Sequence, residues 1–250
     1  MPDSSVHLKP WHIILPSLLF LLVSCVSMND KTHLISDADP VANADGNVHA
    51  HELTTCRPGM RDIKTSTLAN NLNPAKISLL NWNIYKGNMV GWQQDLSAYL
   101  KDHDLMTIQE ATLDQQFTEV LESNDFNWTM NAAFNFNGST AGVMNVANAD
   151  SIYSCGFKVK EPIIRIPKST LISYYAIEGS DDRLLMANIH GINFTFGLDA
   201  YSEQLSLLYD AISEHRGPVI LAGDFNSWSE DRIAEVDSLV EKLSLSRIQY

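Results

Sequence analysis

The chain changes character near residue 76. From there on, short apolar runs alternate with segments of helical spacing. Ile77-Ser-Leu-Leu-Asn-Trp-Asn-Ile84 reads as a buried strand, and Val90, Trp92, Leu96 and Leu100 then recur at the interval of one helix face. Leu105-Met-Thr-Ile108 is a second strand, and Leu113 to Leu121 a second helix. Strand, helix, strand, helix predicts a layered α/β architecture. The middle is richer in β patterns: Gly142 to Val146, Ile152 to Lys158, Thr170 to Ile177 and Leu184 to Ile192 are strand candidates. A helix over Tyr201 to Ser213 leads through Gly217-Pro218 into the strand Val219-Ile-Leu-Ala222. A last helix runs from about Glu230 to Leu243, and Arg247-Ile-Gln-Tyr250 begins a further strand.

Before residue 76 the pattern fades. Residues 26–75 are rich in Asn, Asp, Ala, Thr and His and read as a polar linker. His49 and His51 lie there and are expected to be solvated rather than metal ligands. Ahead of the linker, Trp11 to Val23 is an apolar run of about 13 residues, short of the roughly 20 that a membrane span needs. It suits the core of a signal peptide. The run ends in Leu22-Val23-Ser24-Cys25, which resembles the lipobox of bacterial lipoproteins. That resemblance implies a signal peptide over residues 1–25, lipidation of Cys25, and an exported protein anchored to a membrane in the periplasm or at the cell surface. An uncleaved anchor helix is the alternative, and it places the domain on the same side.

Composition narrows the chemistry. With 250 residues, 45% hydrophobic and 19% charged, the chain suffices for one α/β domain with a full core. A formal net charge of −13 disfavours a broad DNA-binding face, while acidic oxygens suit divalent cations. The three cysteines, Cys25, Cys56 and Cys155, form no CxxC pair, so a cysteine zinc site is not expected. Export would permit a Cys56–Cys155 bridge. The sequence alone favours two separate thiols.

Polar side chains recur where strands leave the core: Asn81 and Asn83, Gln109 and Glu110, Asn188 and His190, Asp224 and Asn226. Each alone reads as turn or cap chemistry. Four such strand ends together predict a ligand site, because a carboxylate ending a buried strand needs a partner or a cation.

Trp82-Asn83-Ile84, Ile108-Gln109-Glu110, Asn188-Ile-His190 and Gly223-Asp224-Phe225-Asn226 resemble, in order, the motifs of the endonuclease/exonuclease/phosphatase (DNase I-like) superfamily. Asn81-Trp-Asn-Ile-Tyr-Lys86 and Ala222-Gly-Asp-Phe-Asn-Ser-Trp228 resemble a bacterial branch of it. The resemblance spans about Ile77 to Tyr250, within a domain drawn over 76–250, and implies a four-layer α/β sandwich of two mixed sheets flanked by helices. It also implies a Mg²⁺- or Mn²⁺-dependent phosphodiesterase or nuclease that works by metal-assisted attack of water on phosphorus. Glu110 and Asn83 would bind the metal. Asp224 would orient or deprotonate the water, Asn226 would donate to the phosphate, and His190 would contact the phosphate or assist the leaving group. Asn188, Gln204 and Tyr85 would support them. Lys86, Lys168 and Arg165 are open between phosphate contacts and ordinary surface cations.

The sequence departs from that pattern twice. Tyr85 stands where many nucleases of the superfamily carry Asp. The superfamily's late Asp and Ser-Asp-His are not found after Asn226, so roughly 40 residues, including the last strands, are expected beyond Tyr250 for a complete domain. Very low activity is expected of this chain by itself. A membrane-tethered scaffold without catalysis is the competing reading. Nucleic acid, lipid head groups and small phosphodiesters all remain as substrates of a monomer, and no clear aromatic loop for membrane insertion is visible.

Overall fold

The side chains of β4 (Leu105–Leu113) alternate between two surroundings, and that alternation orders the molecule. Met106 and Ile108 pack against helices, while Leu105, Thr107 and Gln109 face a second sheet. The computed structural model describes residues 26–28, 32–37, 56, 70–136 and 138–248. The first sheet combines β1 (Val26–Met28), β2 (Leu34–Ser36), β3 (Leu79–Asn83), β4, β5 (Asn127–Phe136) and β6 (Ser139–Ala147). Its order is β1-β5-β6-β4-β3, with β2 also on β5; only β3 and β4 run parallel. The second has β7 (Ser151–Lys160), β8 (Pro167–Ala176), β9 (Arg183–His190) and β10 (Val219–Asp224) in the order β10-β9-β8-β7, with β9 and β10 parallel.

Helices α1 (Trp92–Asp102) and α2 (Gln115–Glu122) cover the first sheet through Trp92, Leu96, Leu100, Phe117 and Leu121. Helices α3 (Asp199–Ile212) and α4 (Glu230–Lys242) cover the second through Tyr201, Leu205, Leu208, Val236 and Leu239. The result is the expected helix–sheet–sheet–helix sandwich. Asp114 caps α2 by accepting from the Phe117 N–H, and Ser229 caps α4 by accepting from that of Arg232.

Between the sheets lies a buried layer with many polar members. Asn188 Nδ2 donates to the carbonyls of Ile108 (3.2 Å) and Met144 (2.9 Å), and its Oδ1 accepts from Gln109 Nε2 (2.8 Å). Asn131 donates to Thr170 O, and Asn145 to Ser173 Oγ. Leu105, Met186, Val143 and Leu171 fill the rest.

Several sequence expectations are corrected. Val26–Met28 and Leu34–Ser36, read as linker, pair antiparallel with β5, and Leu72 bridges to Ile177. Three-residue strands are too short to show a period. Strand β5 went unread because its Asn127, Asn131 and Asn135 resemble loop residues; Asn131 is buried between the sheets. Arg247 and Ile248 form no strand; Arg247 pairs with Asp237. Cys56 and Cys155 are not separate thiols but a disulfide, with Cα atoms 5.2 Å apart across a sequence separation of 99. Proximity at that separation leaves no local trace in a sequence. His49, His51, Cys25 and the apolar run before it lie outside the described residues.

Candidate active site

Four strand ends meet where the two sheets approach. Asn81 Nδ2 donates to Gly223 O (3.2 Å), and Asn83 Nδ2 donates to Asp224 Oδ2 (2.9 Å), joining β3 to β10. Gly223, at φ +143°, lies so close to β9 that a Cβ there would sit 2.1 Å from Ile189 O. Only glycine allows that approach. Asp224 Oδ1 accepts from the Asn226 N–H (3.0 Å), a local turn that leaves Asn226 at φ 49°. Asn226 Nδ2 then donates to Gly191 O, and the Gly191 N–H donates to Asp224 O. These bonds fix the exits of β9 and β10 against each other.

Glu110 reaches the site through a bulge. Counting from Met106 and Ile108, its side chain would face the helices. The β4–β6 register shifts between Ile108 and Ala111, and Glu110 takes φ 53°. Bulges re-aim side chains in this way. Glu110 Oε2 then accepts from Lys86 Nζ, and Oε1 lies 3.8 Å from His190 Nε2. His190 Nε2 also lies 3.9 Å from Asp224 Oδ2 and 2.8 Å from Lys168 Nζ. An ammonium only donates, so Nε2 is the accepting nitrogen of a neutral ring.

Electrostatics agree with that assignment. Burial first, and Lys168 second, push His190 down to about 4, against the pull of Glu110 and Asp224. Burial alone would raise Glu110, but Lys86, with His190 and Lys168 adding to it, holds the carboxyl below its ordinary value. Burial lowers Lys168, with Glu161, Glu110 and Asp224 opposing.

Asn83, Glu110, His190 and Asp224 are thus brought together, with Asn226 beside them. Asn188 is not in this cluster; it joins the sheets behind it. Gln204, on α3, accepts from the Ile192 N–H and donates to His190 O, holding the end of β9. Tyr85 is exposed, with Lys86 Nζ 5.6 Å from its ring centroid. Of the cations left open, Lys86 and Lys168 enter the site, whereas Arg165 stays on an exposed turn. The sequence reading missed two buried charges. Glu161 Oε1 accepts from the N–H groups of Asn193 and Phe194. Arg232 donates to the carbonyls of Ile192, Asn193 and Asn226. Nothing in a local pattern marks either one.

Among the described residues no group of three or more His, Cys, Asp or Glu side chains gathers to hold a metal. The oxygen set of Glu110 and Asn83 still fits a hard divalent cation, since Mg²⁺ is usually held by one or two carboxylates together with substrate oxygens and water. The Lys86 ammonium against Glu110 shows that this carboxylate accepts a cation.

Residues 80–238 match the sequence profile of the endonuclease/exonuclease/phosphatase family. The chain belongs to that family. A UPF0294 protein of Vibrio campbellii is 41% identical over 177 residues, which are 70% of this chain and 62% of the relative. A UPF0294 protein of Klebsiella pneumoniae is 39% identical over 176 residues, 70% of this chain and 66% of the relative. The chain therefore spans less than two thirds of the length of these relatives. Among solved structures, a mannosyl-6-phosphatase of Bacteroides thetaiotaomicron superposes with a TM-score of 0.52 at 17% identity, covering 65% of this chain and 71% of that one. An endonuclease/exonuclease/phosphatase family protein of the same organism gives 0.51 at 18%, covering 66% and 68%. At such identities the likeness is one of fold, and it is the sandwich of the endonuclease/exonuclease/phosphatase family described above.

Proposed function

We propose that this site hydrolyses phosphoester bonds, phosphodiesters foremost, by attack of water on phosphorus. The observation that carries the reading is the convergence of Asn83, Glu110, His190 and Asp224 from four strand ends. Family membership supports it. Asp224, held by Asn83 and by the Asn226 N–H, accepts the proton of the attacking water. The water oxygen bonds to phosphorus, the bond to the leaving oxygen breaks, and that oxygen takes a proton. Lys86 and Lys168 offer ammonium donors to the phosphoryl oxygens. His190 and Lys168, 2.8 Å apart, form the pair that contacts the phosphate and supplies the proton to the leaving oxygen. One Asn226 N–H is bound to Gly191 O, and the other is available to phosphate. Glu110 and Asn83 would hold Mg²⁺ or Mn²⁺, which when bound would polarise a phosphoryl oxygen and offset charge on the leaving group.

We also read the chain as exported and lipidated at Cys25, acting as a monomer. The Cys56–Cys155 disulfide supports an oxidising compartment.

Hydrolysis of bis-p-nitrophenyl phosphate with Mg²⁺ tests the catalytic reading. Asp224→Asn and Glu110→Gln should each lower the rate about 10²–10⁴-fold. Turnover indifferent to both changes sinks it and leaves the scaffold reading.

A further inference from the structure

Among the described residues, most of the exposed large hydrophobic side chains are gathered at one end. The site lies where β3, β4, β9 and β10 finish, and four connections crowd the same end: residues 84–91, 161–166, 191–198 and 225–229. Met89, Val90, Ile163, Phe194, Phe196 and Trp228 are exposed on them, Phe196 at 89% and Trp228 at 65%. Among the described residues, the exposed large hydrophobics that lie elsewhere are Tyr99, Ile233 and Ile248. The opposite end of the sheets carries Asp102, Glu178, Asp181, Asp182 and Arg216 instead. Because the apolar residues come from four separated segments, no single aromatic loop announces them in the sequence.

This exposure is built rather than incidental. Trp228 Nε1 donates to Asn193 Oδ1 (3.0 Å), and the Arg232 guanidinium lies 4.5 Å from the Trp228 ring. Asn193 and Phe194 are in turn fastened by the buried Glu161. Trp228 and Phe194 are thus held in place with apolar surface outward. An apolar patch kept outward in this way marks an interaction surface.

The path of the chain identifies the partner. Val26 pairs with Phe136, which pairs with Ser139; Thr140, the next residue of β6, pairs with Leu113, three residues beyond Glu110. The first described residue therefore enters at the active-site end. Cys25 directly precedes it in the sequence, and the apolar run Trp11 to Val23 comes before that. In the sequence, the segment that would hold the chain to a membrane immediately precedes a strand that starts at the active-site end.

We propose that this strand-end face docks on a lipid bilayer, turning the phosphoester site toward phosphodiesters held in or at the membrane. The proposal rests on the hydrolase and tether readings above. The net charge of −13 makes apolar insertion, rather than attraction to anionic lipid, the source of binding.

Depth-dependent quenching tests it. The full chain with Cys25→Ser, its disulfide intact, receives a nitrobenzoxadiazole label at Val90→Cys, Phe196→Cys or Asp181→Cys. Each is bound to phosphatidylcholine vesicles containing nitroxide phosphatidylcholine. Emission from positions 90 and 196 should be quenched, emission from 181 should not, and roughly 0.5 M salt should leave the pattern unchanged. Equal emission from all three positions overturns the proposal, because the N-terminal segment would then be the sole contact. Burial of positions 90 and 196 without vesicles, rising with protein concentration, overturns it in favour of a second copy. Changing Val90 and Phe196 together to Ser should cost at least about tenfold in hydrolysis of a vesicle-held phosphodiester and leave hydrolysis of bis-p-nitrophenyl phosphate unchanged. Hydrolysis of both substrates that is indifferent to Asp224→Asn would sink the catalytic reading and leave the quenching result to decide docking.

Discussion

Tyr85, Lys86, Glu110 and Asn226 all hold positive φ values, a region that L-residues with side chains seldom adopt. Such residues persist where their surroundings over-determine them. Here the surroundings are named: Asn83 Oδ1 accepts from the Tyr85 N–H, Lys86 binds Glu110, and Asp224 accepts from the Asn226 N–H. The carboxylates were legible because a strand that ends in Glu or Asp stands out against apolar neighbours. The lysines were not, since a sequence cannot say whether a Lys faces solvent or a carboxylate. His190 gives this scale its prediction. Its folded pKa of about 4 lies below the ordinary value of 6.5. The unfolded chain therefore binds a proton that the folded chain refuses between those two values, and stability is full above the upper one and falls as pH drops toward the lower. The urea midpoint should fall between pH 7 and pH 4.5, and His190→Gln should make that fall smaller. An identical pH dependence in the variant would refute neutral burial of this ring.

At the scale of elements, α1 to α4 and the strands β3, β7, β8, β9 and β10 were visible through period and punctuation, within the usual uncertainty at the ends. Strand β4 proved longer than its apolar run because the bulge at Glu110 carries the chain on to Leu113. Strands β1, β2 and β5 were hidden for a different reason: their pairing is decided by partners far away in sequence, and β5 fills inward positions with Asn. The disulfide belongs to the same class. Cys155 lies in the core between β7 and the helices, and Cys56 packs against that cluster. Closing a loop of this length restricts the unfolded chain, so Cys56→Ser should lower unfolding free energy by about 2–4 kcal/mol. Urea titration checks this, and a midpoint unmoved by the change or by a reductant would show that the bridge contributes nothing.

For the molecule as a whole, the two sheets are joined by amide side chains as much as by apolar ones. Asn188 is central, with three bonds reaching β4, β6 and Gln109. Asn188→Leu keeps comparable volume but strands Gln109 and two carbonyls away from water. A loss of about 2–4 kcal/mol is expected, along with reduced turnover as Asn83 and Glu110 move relative to Asp224 and His190. Wild-type stability in that variant would show that the amides are incidental. This layer also explains why the site was only partly legible. The motifs announce which residues meet, and the buried amides that make them meet look like loop residues on paper.

That layer bears on how the protein is made. The first sheet uses residues 26–147 and the second 151–224, so each is contiguous in the chain. A ribosome delivers the first sheet before the second exists, and large proteins build their parts in that order. During the wait, the face that will later be covered presents Thr107, Gln109, Asn131 and Asn145, all of which water can satisfy. An equally large face of leucine and valine would invite aggregation over the same interval.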